Sequence, residues 1–142
     1  MSDLKQKIHQ FFQHYRRCFE TQDAEEASQF FHFPASMYSA KGEREQFSKE
    51  EFLPIAEKLF QNYRALHVSQ ILGNLTNVTE LNPATCIASL NWVVITGHGD
   101  DAFQLYSATT HYLICEEEDG YRIESVFVVD EPDRIREALE KL

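Results

Sequence analysis

Beyond Arg64 the apolar residues stop recurring at three- and four-residue steps and begin to alternate through four long runs, "ALHVSQILGNLTNVTEL", "ATCIASLNWVVITG", "AFQLYSATTHYLICE" and "YRIESVFVVD". Each run is rich in Val, Ile, Thr and aromatic residues, and the separators are "NP", "GHGDD" and "EEEDG". Period-two patterning bounded by turn residues marks strands with one face buried. The spacing predicts consecutive hairpins of an antiparallel sheet. Asp130, Glu131 and Pro132 close the last strand.

The residues before Arg64 follow the helical period. Leu4, Ile8, Phe11, Phe12, Tyr15 and Phe19 form one apolar stripe, which predicts a first helix. Asp23 is placed as an N-cap for a short second helix carrying Ala27, Phe30 and Phe31, which Pro34 ends by forcing Phe33 to be extended. "PASMYSA" then reads as a short strand running to Lys41 and Gly42. Ser48 and Glu51 match a capping box opening a third helix through Phe52, Ile55, Ala56, Leu59, Phe60 and Tyr63, with Pro54 either kinking it or delaying its start. "DRIREALEKL" predicts a terminal helix capped by Asp133. Helix, helix, strand, helix and four strands is an α+β order, with the helices gathered on one face of a curved, mostly antiparallel sheet.

At 142 residues the chain matches one domain, 1–142, and it can bury a single core. An apolar fraction of 43% with 11 Phe and 6 Tyr excludes a disordered chain. No apolar run approaches the ~20 residues of a membrane span, and "MSDLKQKIHQFF" has no export signature. A soluble, cytoplasmic protein is expected. Cys18, Cys86 and Cys115 form an odd set without CxxC spacing, so reduced core thiols are expected and no disulfide framework or zinc ribbon. A formal charge of −10 opposes nucleic acid and anionic membranes as partners. Glu116, Glu117, Glu118 and Asp119 precede Gly120 as a solvated hairpin tip. The six histidines show no metal-binding spacing, so neither a metal nor a cofactor is expected.

His111 stands isolated in the third long run. If "EEEDG" pairs Cys115 with Tyr121, then Ser107, Thr109, His111 and Leu113 share a face with Ile123, Ser125, Phe127 and Val129. Apolar walls with a few hydroxyls suit a ligand cavity, so Ser107, Thr109, Ser125 and Phe127 are expected to line one. The neighbouring strand supplies either Trp92 with Leu90 or Asn91 with Ser89, and a two-residue turn at Gly99-Asp100 favours Trp92. His111 is the candidate acid or base, imidazole titrating at about 6.5, against the alternative of a satisfied hydrogen-bonded ring inside the sheet. Tyr38 and Asp130 are candidate groups at the cavity mouth. The opposite face, with Tyr106, Ala108, Thr110, Tyr112, Ile114, Val126 and Val128, predicts an apolar homodimer surface.

"FFHFPASMY" after two helices and "EEDGYRIESVFVVDEP" at the closing hairpin resemble the nuclear transport factor 2-like (SnoaL-like) superfamily over nearly the whole chain. The resemblance implies an NTF2-like, cystatin-like cone: an α+β barrel, usually dimeric, whose sheet wraps the amino-terminal helices around a pocket. Isomerases, dehydratases, polyketide cyclases and binding proteins share it. "PASMYSA" lacks the first-strand acid of the ketosteroid isomerase branch, and Tyr15 matches that branch's phenol by position only. A small-molecule-binding protein is therefore the first reading. An enzyme using His111 with Tyr38 or Asp130 is the second, and a protein-interaction module using the sheet exterior the third.

Overall fold

The computed structural model describes residues 3–142. The elements are α1 (Asp3–Thr21), α2 (Ala24–Ser28), β1 (Phe31–Tyr38), β2 (Arg44–Phe47), α3 (Lys49–Ala65), β3 (Val68–Asn82), β4 (Thr85–Thr96), β5 (Phe103–Glu117), β6 (Gly120–Val128) and α4 (Glu131–Glu140). The α+β reading holds: one curved, open six-stranded sheet runs in the order β2-β1-β6-β5-β4-β3, antiparallel except where β1 lies parallel to β6.

The helices start where local chemistry satisfies their free N–H groups. Asp23 accepts from the Glu26 N–H at 3.0 Å and opens α2. Ser48 and Glu51 form the expected capping box, and α3 runs on through Pro54 from that box. Such a cap contributes about 1 kcal/mol. Three boundaries differ from the sequence reading. Phe30 and Phe31 do not belong to α2: Phe30 O accepts from the Ile123 N–H at 2.8 Å, and Phe31 opens β1. The short edge strand β2, "REQF", carries no alternation and was not foreseen. Asp130, not Asp133, occupies the cap position of α4, with Pro132 in its first turn, where a missing N–H costs nothing.

Burial decides which face of the sheet looks inward. On β4 the even-numbered residues Cys86 to Thr96 are buried and the odd-numbered ones are not, so Trp92 and Leu90 face the helices. The loop before β5 closes through a 3-10 turn at Gly99–Asp101 instead of a two-residue turn, and Trp92 pairs with Ala108. On β5 the buried set is Tyr106, Ala108, Thr110, Tyr112 and Ile114. The expected assignment of the two faces is thus reversed. Those five residues, with Val126 and Val128, line the interior and form no dimer surface, while Ser107, Thr109, His111 and Leu113 lie on the outer face. A local irregularity explains the rest of the slip. Cys115 pairs with Arg122 and Leu113 with Ser125, yet Ile114 pairs with Ile123, so Glu124 is the extra residue of a bulge. Ile123 therefore points inward although Ser125 and Phe127 point outward.

α1 packs its stripe of Ile8, Phe12 and Tyr15 on that inner face. Phe12 and Tyr112 have ring centroids 4.8 Å apart, and Phe12 and Trp92 6.3 Å. Pairs of this kind contribute about 0.5–1.5 kcal/mol each beyond their burial. Cys18 and Cys86 are buried free thiols, each pushed up to about 11 by desolvation. α1 also covers the sheet edge with polar groups. Glu20 accepts from the Ile71 N–H at 2.8 Å, while Gln13 donates to the Gly73 carbonyl and Arg16 to the Ile71 carbonyl, each at 3.3 Å. Side chains thus satisfy backbone groups that an open edge strand would otherwise offer to another chain.

Gly73 lies opposite Trp92, and a Cβ there would stand 2.5 Å from the Trp92 ring. Replacing Gly73 with Ala must therefore displace the indole. We expect a loss of about 1–3 kcal/mol in chemical denaturation, the usual range for overpacking a core, together with a shift in the emission of Trp92, the chain's single tryptophan. An unperturbed spectrum and midpoint would contradict this packing.

Candidate functional site

The aromatic residues that build the core do not fill it. A cavity of about 140 Å³ remains between the helices and the inner face of the sheet. α1 contributes Tyr15, Arg16 and Phe19, and α3 contributes Phe52, Ile55, Ala56, Leu59 and Tyr63. The sheet contributes Phe31, Met37, Ile71, Trp92, Thr110, Tyr112, Val126 and Val128, and Glu131 enters from the start of α4. Tyr15 links the helices to the sheet, its ring 6.4 Å from Trp92 and 6.1 Å from Tyr112. The Trp92 Nε1–H donates to the Tyr112 hydroxyl at 3.0 Å, fixing both rings.

Glu131 is the ionisable group at the centre of this arrangement. The Tyr106 hydroxyl donates to its Oε2 at 2.9 Å, and the Tyr63 phenol lies beside both. Desolvation raises the Glu131 carboxyl above the ordinary glutamate value. The two phenol donors oppose that rise, and the neighbouring Asp130 charge adds to it. Burial likewise lifts Tyr15, Tyr63, Tyr106 and Tyr112 above the usual phenol range, and the negative charge of Glu131 reinforces this. A carboxyl with a raised proton affinity among neutral phenols can hold a proton, donate a hydrogen bond or, once ionised, attract a cation.

The residues singled out from sequence fall into two groups. Trp92 lines the cavity. Tyr38, Phe127 and His111 stand side by side on the outer face: Tyr38 stacks on Phe127 at 4.8 Å, and Phe127 pairs with His111. His111 Nδ1 and Ser89 Oγ are hydrogen-bonded at 2.7 Å, so the satisfied-ring alternative describes its contact, on the exterior instead of the interior. Ser107, Thr109 and Ser125 share that outer face. Asp130 lies beside the cavity but accepts from the Thr109 N–H at 3.0 Å, and Arg134 is 3.8 Å from its other oxygen. Sequence reasoning passed over Glu131, Tyr63 and Tyr106. The signal was a glutamate between the end of a strand and a proline that opens a helix. That segment fixes a turn, and the turn swings the side chain inward.

A family model described as NTF2-like protein (DUF6841) matches residues 5–131, and the chain belongs to that family. No curated protein sequence matches the chain. Solved structures share its fold at low identity. Aln2 from a Streptomyces species is 14% identical with a TM-score of 0.75, covering 96% of this chain and 97% of its own. ActVI-ORFA from Streptomyces coelicolor is 14% identical with a TM-score of 0.73, covering 90% and 97%. A domain with a cystatin-like fold from Nostoc punctiforme is 13% identical with a TM-score of 0.70, covering 100% and 89%. Among the described residues no helix is long and apolar enough to cross a membrane.

The buried phenols set the alkaline limit of the fold. Each has a folded-state pKa above the ordinary 10.0, so its contribution is complete below that value and is lost as pH rises toward the folded one. We expect denaturant midpoints to fall steeply above about pH 10, and Tyr106→Phe to blunt the fall. A midpoint flat through that range would contradict the burial of these hydroxyls.

Proposed function

We propose that the protein binds a small molecule in the cavity between Tyr15, Trp92, Tyr112 and Glu131, and that residues 1–142 act as one NTF2-like domain in doing so. The observation that carries this reading is an unfilled, largely apolar space onto which one carboxyl and several phenols converge. Such a combination gives affinity through apolar area and orientation through few polar groups. A dry cavity of about 150 Å³ accepts benzene, so the volume here suits one ring or a comparably compact body. The cavity supports Trp92 as a ligand contact. The outer-face residues Ser107, Thr109, Ser125 and Phe127 gain no support as part of it.

Glu131 favours a second reading, acid–base catalysis on such a ligand. A carboxyl of raised pKa in an apolar site is suited to hold or accept a proton. In this reading Glu131 takes the role first given to His111, with Tyr63 and Tyr106 assisting in place of Tyr38 and Asp130. For the oligomer we propose a homodimer through the outer face of the sheet, where Tyr38, Ile87, Val93, Leu113 and Phe127 take no part in the hydrophobic core. A cytoplasmic location is consistent with the free thiols and forms part of the same proposal.

The test uses Trp92 as reporter. Titration with benzyl alcohol should change its emission saturably, and Ala56→Phe, which fills the cavity from α3, should weaken that response by at least about tenfold while the far-UV spectrum stays unchanged. Equal responses in both proteins would place the ligand elsewhere.

A further inference from the structure

Glu131 lacks a countercharge. The Tyr106 phenol of β5 donates to it at 2.9 Å, the Tyr63 phenol of α3 lies beside it, and its charged neighbour is another acid, Asp130. Among the described residues no basic side chain forms an ion pair with it, and Arg134, one turn along α4, is engaged by Asp130 at 3.8 Å and Glu137 at 2.8 Å. Arg16 is the cation among the cavity-lining residues, and its charge is paired with Glu20. Nη1 donates to Glu20 at 2.8 Å and to the Ile71 carbonyl at 3.3 Å, and Nε donates to Gln13 at 2.8 Å. The position of Glu131 in the first turn of α4 offers partial compensation through the helix dipole. An isolated carboxylate in low dielectric is costly, and a cation beside it removes that cost.

The walls favour the same ligand charge. Tyr15, Trp92 and Tyr112 approach one another within the cavity, and aromatic faces attract ammonium groups through their quadrupoles. The formal charge of −10 adds a long-range field of the same preference. Taking the cavity as a small-molecule site, we infer that its ligand is a small organic cation: an ammonium group set beside Glu131, on a compact apolar or aromatic body lying against Tyr15, Trp92 and Tyr112. A carboxylate ligand would meet the acid Glu131, and a neutral ring would leave Glu131 without a countercharge.

This geometry couples binding to protonation. The titratable groups facing Glu131 are Tyr15 from α1, Tyr63 from α3, Tyr106 and Tyr112 from β5, and Asp130 beside it. The phenols stay neutral below about pH 10, so toward acid pH Glu131 is the cavity-lining group that takes up a proton. An ammonium ligand needs Glu131 ionised and is released as Glu131 takes up its proton.

Three probes of one size decide the matter: benzylammonium, benzyl alcohol and benzoate, titrated against the whole protein with Trp92 emission as readout. At neutral pH benzylammonium should bind at least about tenfold more tightly than benzyl alcohol, with benzoate weakest. In the wild-type protein the ratio of benzylammonium to benzyl alcohol affinity should fall as the pH is lowered from neutral through the acid range in which Glu131 takes up its proton. In Glu131→Gln it should fall to within about twofold of unity, and Glu131→Asp should restore part of it. The pH series needs no variant and stands if Glu131→Gln does not fold. Equal or weaker binding of benzylammonium by the wild-type protein, or a preference that survives in Glu131→Gln or is unchanged by pH, overturns the cation assignment while leaving the cavity as a site. Failure of all three probes to bind overturns the small-molecule reading and the assignment with it.

Discussion

The molecule depends on α1 lying across the inner face of the sheet, where Phe12 and Tyr15 meet Trp92 and Tyr112. A sheet with one apolar face cannot stand alone in water, and this contact supplies its cover. The opposite edge of the contact is polar: Gln13, Arg16 and Glu20 fasten α1 to β3 through backbone groups. The helix is therefore fixed both by ring packing and by directional hydrogen bonds. The cavity is what remains when rigid rings from α1, α3 and three strands meet without interdigitating fully.

That geometry places an acid where solvent is scarce. α4 starts at the exit of β6, with Asp130 tied to the Thr109 N–H and Glu131 turned toward Tyr106 and Tyr63. Two adjacent carboxyls thus have different surroundings. Asp130 accepts a backbone hydrogen bond and sits near Arg134, whereas Glu131 is desolvated among phenols. This environment gives Glu131 a raised proton affinity.

Much of the fold was legible from the residues. The change of period after Arg64, the capping box at Ser48 and the order of helices before strands all correspond to structure, because local hydrogen bonding and alternation determine them. The choice of face was not legible from His111. Both faces of β5 alternate acceptably, and a mixed polar face looks like a pocket lining when read alone. Burial instead selected the set richest in aromatic and aliphatic side chains, Tyr106, Ala108, Tyr112 and Ile114, because apolar area removed from water outweighs the presence of a single titratable ring. The bulge at Glu124 shifted β6 by one residue within the strand, a feature that no turn signal announces. Trp92 was read as sharing the face of His111, but Ser89 and Asn91 pair with His111 and Thr109 while Trp92 pairs with Ala108, so its inward position follows from the strict alternation of β4 and not from the expected turn. Glu131 was missed because its inward direction follows from the junction of β6 with α4, a tertiary property.

The central claim is that the carboxyl of Glu131 is desolvated within an aromatic cavity. Carbon-13 NMR of the glutamate side-chain carboxyls, assigned through Glu131→Gln and followed across an acid-to-neutral titration of the unliganded protein, tests it directly. The account predicts a Glu131 midpoint clearly above the value of about 4.3 for a solvated glutamate, separated from the exposed glutamates of the same chain. A midpoint at or below that value would show a solvated or cation-paired carboxylate and contradict the account.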